Sequence, residues 1–352
     1  MTTWTERLDN PFSARLRDPS FTGYVGLALG AFAAFVAIPP IQTRAILWPI
    51  LVGIVACLLG VWTVTRGRRR LGYGAVASGL IGIGLEGMML MGAFWGVWAA
   101  DVGGTWVMGI LAGIAVGALL ALVYAYFAIH LRADQIVGGT AINFLALGIT
   151  GYFFFQLYNG GDIPSGVSTI PNVSIPGIAD THFLGPAIGN LNLMIWVGFV
   201  LVIVSYIVVF KTPIGLRIRA CGEHPRAADT VGINVYAIRY GAVIVSGILA
   251  ALGGVYLSDG FAGGSYTNNM TNGRGFIALA ALIFGAWRPA GAFFAALLFG
   301  FSEAVALRLQ VYSPQAATLF NVLPYVLTII AVAGVIGRTV PPAADGKPYK
   351  KQ

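Results

Sequence analysis

Runs of about twenty apolar residues recur along almost the whole chain, at 20–39, 45–65, 106–129, 136–158, 190–210, 236–258, 290–308 and 317–337. A helix of that length crosses the hydrocarbon core of a bilayer. Water cannot be the solvent on all sides of such a chain. Only 10% of its 352 residues are charged, against about 25% in a soluble domain. That scarcity excludes a cytosolic enzyme, a disordered chain and a nucleic-acid binder, whatever the net charge of +8 suggests. The expected class is an all-α integral membrane protein.

Two further segments break the pattern. The stretch 71–100 is too long for one straight span and carries Gly72, Gly74, Gly79, Gly82, Gly84 and Gly87. The stretch 275–287 is too short, and Trp287-Arg288-Pro289 stops it. Both are expected to be broken or partly re-entrant, which a membrane tolerates only where protein or a cavity satisfies the backbone. The expected architecture is therefore about ten transmembrane helices, two of them broken or short.

Basic residues orient the spans. Placing the N and C termini in the cytoplasm leaves only Arg44, Arg274 and Arg308, of the 21 Lys and Arg, on the outer side. The chain then divides into a cytoplasmic segment 1–19, a single transmembrane domain 20–337 and a cytoplasmic tail 338–352. No short apolar core with a cleavage site precedes the first span. The Arg66–Arg70 cluster and the basic tail act as topology determinants or as sites for anionic membrane lipid.

The two irregular segments occupy related places. Met91-Gly-Ala-Phe-Trp resembles Phe284-Gly-Ala-Trp-Arg, and Ala141-Ile-Asn-Phe-Leu-Ala resembles Leu319-Phe-Asn-Val-Leu-Pro, which aligns Asn143 with Asn321. The third and eighth spans run in opposite directions, so the halves are expected to be inverted repeats. Interrupted spans in matching positions of such halves mark a transport pathway. Polar groups at membrane depth are costly and need a reason. Glu86, Glu303, Asn143 and Asn321 are the clearest, and each is a candidate pathway residue. The alternative is a helix-capping or interhelical contact for the glutamates, with Arg308 a loose partner for Glu303, and interhelical hydrogen bonding for the asparagines. Phe94, Trp95, Trp98, Tyr152, Phe153 and Phe154 could stack on a ring-containing solute or anchor the span ends.

Enzyme and metal chemistry find no footing. Cys57 and Cys221, like His130, His182 and His224, lack metal-ligand spacing. Neither Gly-x-Ser-x-Gly nor His-Glu-x-x-His occurs. A P-loop needs Gly-x-x-x-x-Gly-Lys-Ser/Thr, whereas Lys211 before Thr212 follows Phe210. No catalytic residue, metal or cofactor is expected on this chain.

Two loops stand out. The outer loop 159–189, rich in Gly, Pro, Ser and Thr, is a docking surface for an extracytoplasmic partner or a cap over the spans. In the inner loop 211–235, Pro225 suits the first turn of a short helix and Gly232 its end. Small side chains at Ala227 and Ala228 would let a partner approach closely, and Arg226 and Asp229 share a face. Such a helix, parallel to the membrane, is the natural shape for a lever, with an ordinary solvated helix as the alternative.

The run from Gly215 to Asn234, including Cys221-Gly-Glu-His-Pro-Arg-Ala-Ala-Asp-Thr-Val-Gly-Ile-Asn, with Ser246-Gly-Ile-Leu-Ala-Ala-Leu-Gly-Gly, resembles permease subunits of ATP-binding-cassette importers. Ile83-Gly-Leu-Glu-Gly-Met-Met-Leu-Met-Gly-Ala-Phe and the run Gly273 to Gly291 agree. The resemblance is to the branched-chain amino acid, ribose and nucleoside permease family, most of all its simple-sugar and nucleoside branch. It implies a plasma-membrane importer subunit of a prokaryote. Its implied partners are a cytoplasmic ATPase that hydrolyses the ATP, a second and different permease, and an extracytoplasmic binding protein. It also implies an ATPase-coupling role for Gly222, Glu223, Pro225, Arg226, Ala227, Ala228, Asp229 and Gly232, with His224 standing where a neutral polar residue is usual. An ion-coupled secondary transporter of small polar solutes is the alternative.

Overall fold

The computed structural model describes residues 83–159, 167–174 and 190–309, with isolated positions at 318, 322, 325, 326, 342–344, 346 and 349. Contacts divide the chain into Met1–Val55 and Ala56–Gln352, and every described residue belongs to the second unit. The expected spans 20–39 and 45–65, and 317–337 apart from Thr318, Val322, Tyr325 and Val326, lie outside the described residues.

Nine helices are described: α1 (Leu85–Gly103), α2 (Trp106–Ala125), α3 (Gln135–Tyr158), α4 (Leu193–Lys211), α5 (Pro213–Glu223), α6 (Pro225–Thr230), α7 (Val235–Val255), α8 (Arg274–Phe284) and α9 (Pro289–Leu309). Single π-helical turns extend α2 to His130 and α7 to Phe261. Among the described residues five helices are long and apolar enough to cross a membrane: α2 and α7 with their extensions, α3, α4 and α9. Their boundaries follow local chemistry. Asp134 accepts hydrogen bonds from the Ile136 and Val137 amides, Asn192 from Met194, Thr212 from Gly215 and Asn234 from Ala237. Each is a side-chain acceptor directly before a helical run, satisfying amides that the helix leaves unpaired.

The core is a three-helix contact of α1, α2 and α7, built on small residues. In lipid no hydrophobic force drives helices together, so close backbone approach must. Along α2, Gly109, Gly113 and Gly117 recur every fourth residue and meet Asp259, Val255 and Ala251 in descending order, which makes α2 and α7 antiparallel. Along α1, Gly92 meets Ala251 and Gly96 meets Val255, so α1 runs parallel to α7. A Cβ on Gly92 would lie 2.2 Å from the Ala251 carbonyl oxygen. By contrast, α4 buries only Val209 and exposes Val200, Ile203, Val204 and Ile207.

The short segment 275–287 proves to be α8 plus a corner. The helix ends at Phe284, Ala286 (φ 56°) and Trp287 (φ 59°) turn through the left-handed region, and Pro289 opens α9. That conformation costs about 1–2 kcal/mol per residue. Burial of the Trp287 ring offsets part of it.

The expected outer loop is described over 167–174 and from Asn190. There β1 (Asn172–Ser174) pairs antiparallel with β2 (Asn190–Asn192), Asn172 opposite Asn192. Asn192 donates to the Ile170 carbonyl, Ile170 donates to the Asp259 carbonyl, and Trp106 donates to Ser168 Oγ. The hairpin is thereby tied to the start of α2 and the end of α7.

Candidate functional site

Two helices begin at the same point inside the bundle. The register that sets Gly92 against Ala251 places Glu86 level with Val245, about 15 Å from the start of α7 at 1.5 Å per residue. The α7 span runs 27 residues to Phe261, about 40 Å, so Glu86 lies near mid-height. It is in the first turn of α1, and its carboxylate accepts from the Gly273 amide (Oε1, 2.8 Å) and the Gly275 amide (Oε2, 2.6 Å). Those amides form the N-terminus of α8, whose cap Gly273 has φ 86°, a conformation glycine adopts without a side-chain clash. One buried carboxylate thus faces the positive ends of two helices.

The chain of polar contacts continues on both sides. From α3, Asn143 accepts from the Gly87 amide (2.8 Å) and donates to the Ile83 carbonyl (3.1 Å), bridging the break before α1. From α8, Arg274 donates to the Met270 carbonyl (3.0 Å) and to Glu303 of α9 (2.5 Å). The structure therefore pairs Glu303 with Arg274; the Arg308 side chain lies outside the described residues. Arg274 itself sits between the two glycines that bind Glu86. Asn321 lies outside the described residues.

Replacing Glu86 with Gln leaves one acceptor for two amides and turns an NH2 group toward an N–H. A charge-assisted bond is worth about 1.5–3 kcal/mol, so the variant is expected to show a clearly lowered thermal midpoint in detergent. An unchanged midpoint would refute the capping role.

The six aromatic residues singled out in the sequence form one cluster between α1 and α3. Trp95 lies 5.3 Å from Phe94, 5.2 Å from Trp98 and 5.2 Å from Phe153, and Tyr152 touches Phe153. Tyr266, which no sequence pattern marked, connects Phe94 and Phe154. Tyr158 continues the row and donates to Asp101 (2.9 Å). Asp259 was also missed. Its carboxyl is fully buried beside Gly109, with no hydrogen-bond partner for either oxygen among the described residues.

At the end of the bundle where α7 starts, the inner loop folds as two helices. Thr212 and Pro213 open α5, a helix not foreseen although Thr-Pro is an N-terminal signal. Pro225 forces the residue before it out of the helical region, and His224 (φ −137°) separates α5 from α6. Gly232 (φ 83°) ends the following turn, its amide donating to Asp229 and that of Ile233 to Ala228. Gly222 is buried, while Glu223, Pro225 and Asp229 are half-buried. The two alanines face opposite ways. Ala227 is exposed with His224, Arg226 and Thr230, whereas Ala228 packs on Cys221, Val235 and Tyr349. A step of one residue turns a helix by about 100°, so both cannot meet one partner. Burial pushes the Cys221 thiol up, against the nearby Arg239 charge that lowers it.

Two such features, a pair of helix N-termini meeting at mid-height and a short helix held outside the spans, are those of a transport subunit. Residues 74–332 match the family described as the branched-chain amino acid transport system / permease component. The chain belongs to this permease family. The permease is 42% identical over 286 residues to the guanosine ABC transporter permease protein NupQ of Bacillus subtilis strain 168, covering 78% of this chain and 89% of that one. It is 37% identical over 290 residues to the nucleoside ABC transporter permease protein NupC of Lactococcus lactis subsp. cremoris strain MG1363, with the same coverage. From that Lactococcus strain, the nucleoside ABC transporter permease protein NupB is 23% identical over 234 residues, 64% of each chain. No solved structure matches the permease. It is a multi-pass membrane protein of a transporter family, not an enzyme family.

Proposed function

We propose that this permease forms half of the translocation pathway of an ATP-driven nucleoside importer, with α6 as the helix that engages a cytoplasmic ATPase. The observation that carries the substrate class is the identity of 42% and 37% to two nucleoside permeases along 89% of their lengths. Both termini are cytoplasmic and about ten spans form two inverted repeats. The meeting of α1 and α8 at Glu86 supports that reading, because inverted halves bring interrupted helices together at the pathway. ATP is bound and hydrolysed by the partner, and an extracytoplasmic binding protein delivers the solute.

The second permease is a different chain. One Lactococcus strain carries two nucleoside permeases that match this one at 37% and 23% identity, which supports pairing of unlike subunits. Within the pathway, Glu86, Asn143 and Glu303 line or latch the junction, with Asn321 as the fourth polar group. The aromatic row from Phe154 to Trp98 offers ring faces on which a base could stack, at about 1–3 kcal/mol per base.

Reconstituted with its partner ATPase, second permease and binding protein, the permease is expected to take up labelled guanosine only with internal ATP. Excess unlabelled guanosine or adenosine should compete, and glucose or ribose should not. Competition by the sugars alone would replace the nucleoside assignment. Uptake supported by an ion gradient and abolished by ionophores, without ATP, would establish the secondary-transporter alternative.

A further inference from the structure

We propose that the C-terminal tail is a positioning element for the coupling helix, with Tyr349 as the side chain that holds α6 against α5 and α7. This rests on the reading of α6 as the helix that meets the ATPase.

The need for such an element follows from the size of α6. It has six residues and buries one of them, Ala228, and an isolated helix that short does not persist in water. Its placement therefore depends on what covers Ala228 and Asp229. The tail does both. The Ala344 amide donates to the Gly222 carbonyl at 3.0 Å, and the Ala343 amide reaches Glu223 Oε2 at 3.4 Å, so the tail crosses the end of α5. Tyr349 then closes a buried cluster with Cys221, Ala228 and Val235, with exposures of 6%, 0%, 3% and 1% respectively. Its ring lies 5.4 Å from Tyr236 and 5.9 Å from the Arg239 guanidinium, both on α7, and it packs on Ala228 of α6. One side chain thus joins two elements that the chain itself links only through Val231–Asn234. Burial first, then the neighbouring Asp229 carboxylate, push the Tyr349 hydroxyl up to about 12.

The contacts also lead onward into the bundle. Tyr236 lies 6.0 Å from His130, and His130 Nδ1 lies 2.7 Å from the Tyr240 hydroxyl, at the π-helical end of α2. A displacement of α6 is passed to α7 and α2 through this aromatic row as long as Tyr349 is seated. The tail makes the lever stiff.

The test uses the complete transporter carrying Cys57→Ser, which leaves Cys221 as the lone thiol of this chain. Cys221 is expected to resist maleimide. Tyr349→Ala, and separately deletion of 342–352, should raise its labelling rate about tenfold or more by letting the cluster open. The ATPase should still co-purify, while uptake per ATP hydrolysed falls several-fold. Tyr349→Phe, which keeps the ring and removes only the hydroxyl, should hold labelling within about twofold of the parent. Equal protection of Cys221 with and without residues 342–352 would overturn the proposal, as would full uptake per ATP in a Tyr349→Ala complex with a reactive Cys221. Failure of the coupling reading looks different: an Ala227→Arg permease would then retain its ATPase, while Cys221 would still respond to the tail.

Discussion

Replacing Gly254 with alanine is expected to abolish accumulation of folded permease. A Cβ at this position would lie 1.9 Å from the Met89 carbonyl oxygen and 2.7 Å from the Ala93 amide nitrogen. Both are main-chain atoms of α1, so no rotamer change relieves the clash and the helices must separate. Alanine favours the helix itself by about 1 kcal/mol. Forcing one carbon into a packed interior costs about 1–3 kcal/mol even where side chains yield, and here the neighbour is backbone. The same separation would also loosen Gly92 from Ala251 and Gly96 from Val255, both within about one turn. Gly253→Ala is the internal control, because its Cβ would meet nothing within 4 Å. It should be neutral or slightly stabilising. Membrane yield and the thermal midpoint of the purified protein read both variants; a Gly254→Ala protein as abundant and as stable as Gly253→Ala would refute the close contact of α1 and α7.

Ala227→Arg is expected to eliminate ATP-driven uptake while leaving the protein inserted and folded. Ala227 is exposed at the middle of α6. A bulky charge at the centre of a docked surface costs about 2–4 kcal/mol, roughly thirtyfold or more in affinity. Recovery of the ATPase in a pull-down should fall by at least that factor. Normal recovery together with normal uptake would sink the assignment of α6. Ala228→Arg asks a different question. Ala228 is 3% exposed against Cys221, Val235 and Tyr349, so arginine there should dislodge α6 from its own chain. Its effect should track thermal stability and Cys221 reactivity, which Ala227→Arg should leave unchanged.

Much of the fold was legible because its signals are local. The runs 106–129, 136–158, 190–210, 236–258 and 290–308 correspond to α2, α3, α4, α7 and α9 within a few residues. The corner that ends 275–287 was visible in its length and in Trp287-Arg288-Pro289, whereas residues 71–82 lie outside the described ones. Pro225 and Gly232 do bound α6 and its closing turn. Thr212-Pro213 carried the same kind of signal for α5, and it was overlooked beside the stronger pattern downstream.

The site was legible only as residue types. Glu86, Asn143 and Glu303 stand out because polar groups are expensive at membrane depth. Their partners did not, since Glu86 and Asn143 bind main-chain groups, and every residue of the chain but proline offers an amide. Nothing in composition says which amides a helix break will leave free. Tyr349 sits in a basic, Pro-containing tail with no periodicity to mark it as buried.

By itself, then, the sequence determined that this chain lives in a membrane, where most of its spans run and how its capped helices start, because run length, charge scarcity and capping are properties of neighbouring residues. Tertiary structure decided which faces touch. It brought α1 and α8 to one carboxylate 187 positions before Gly273, turned Ala228 inward and Ala227 outward, and laid the tail on α6. Those outcomes depend on how closely glycine lets two backbones approach and on which buried donors remain unsatisfied, and both are set by packing between distant segments.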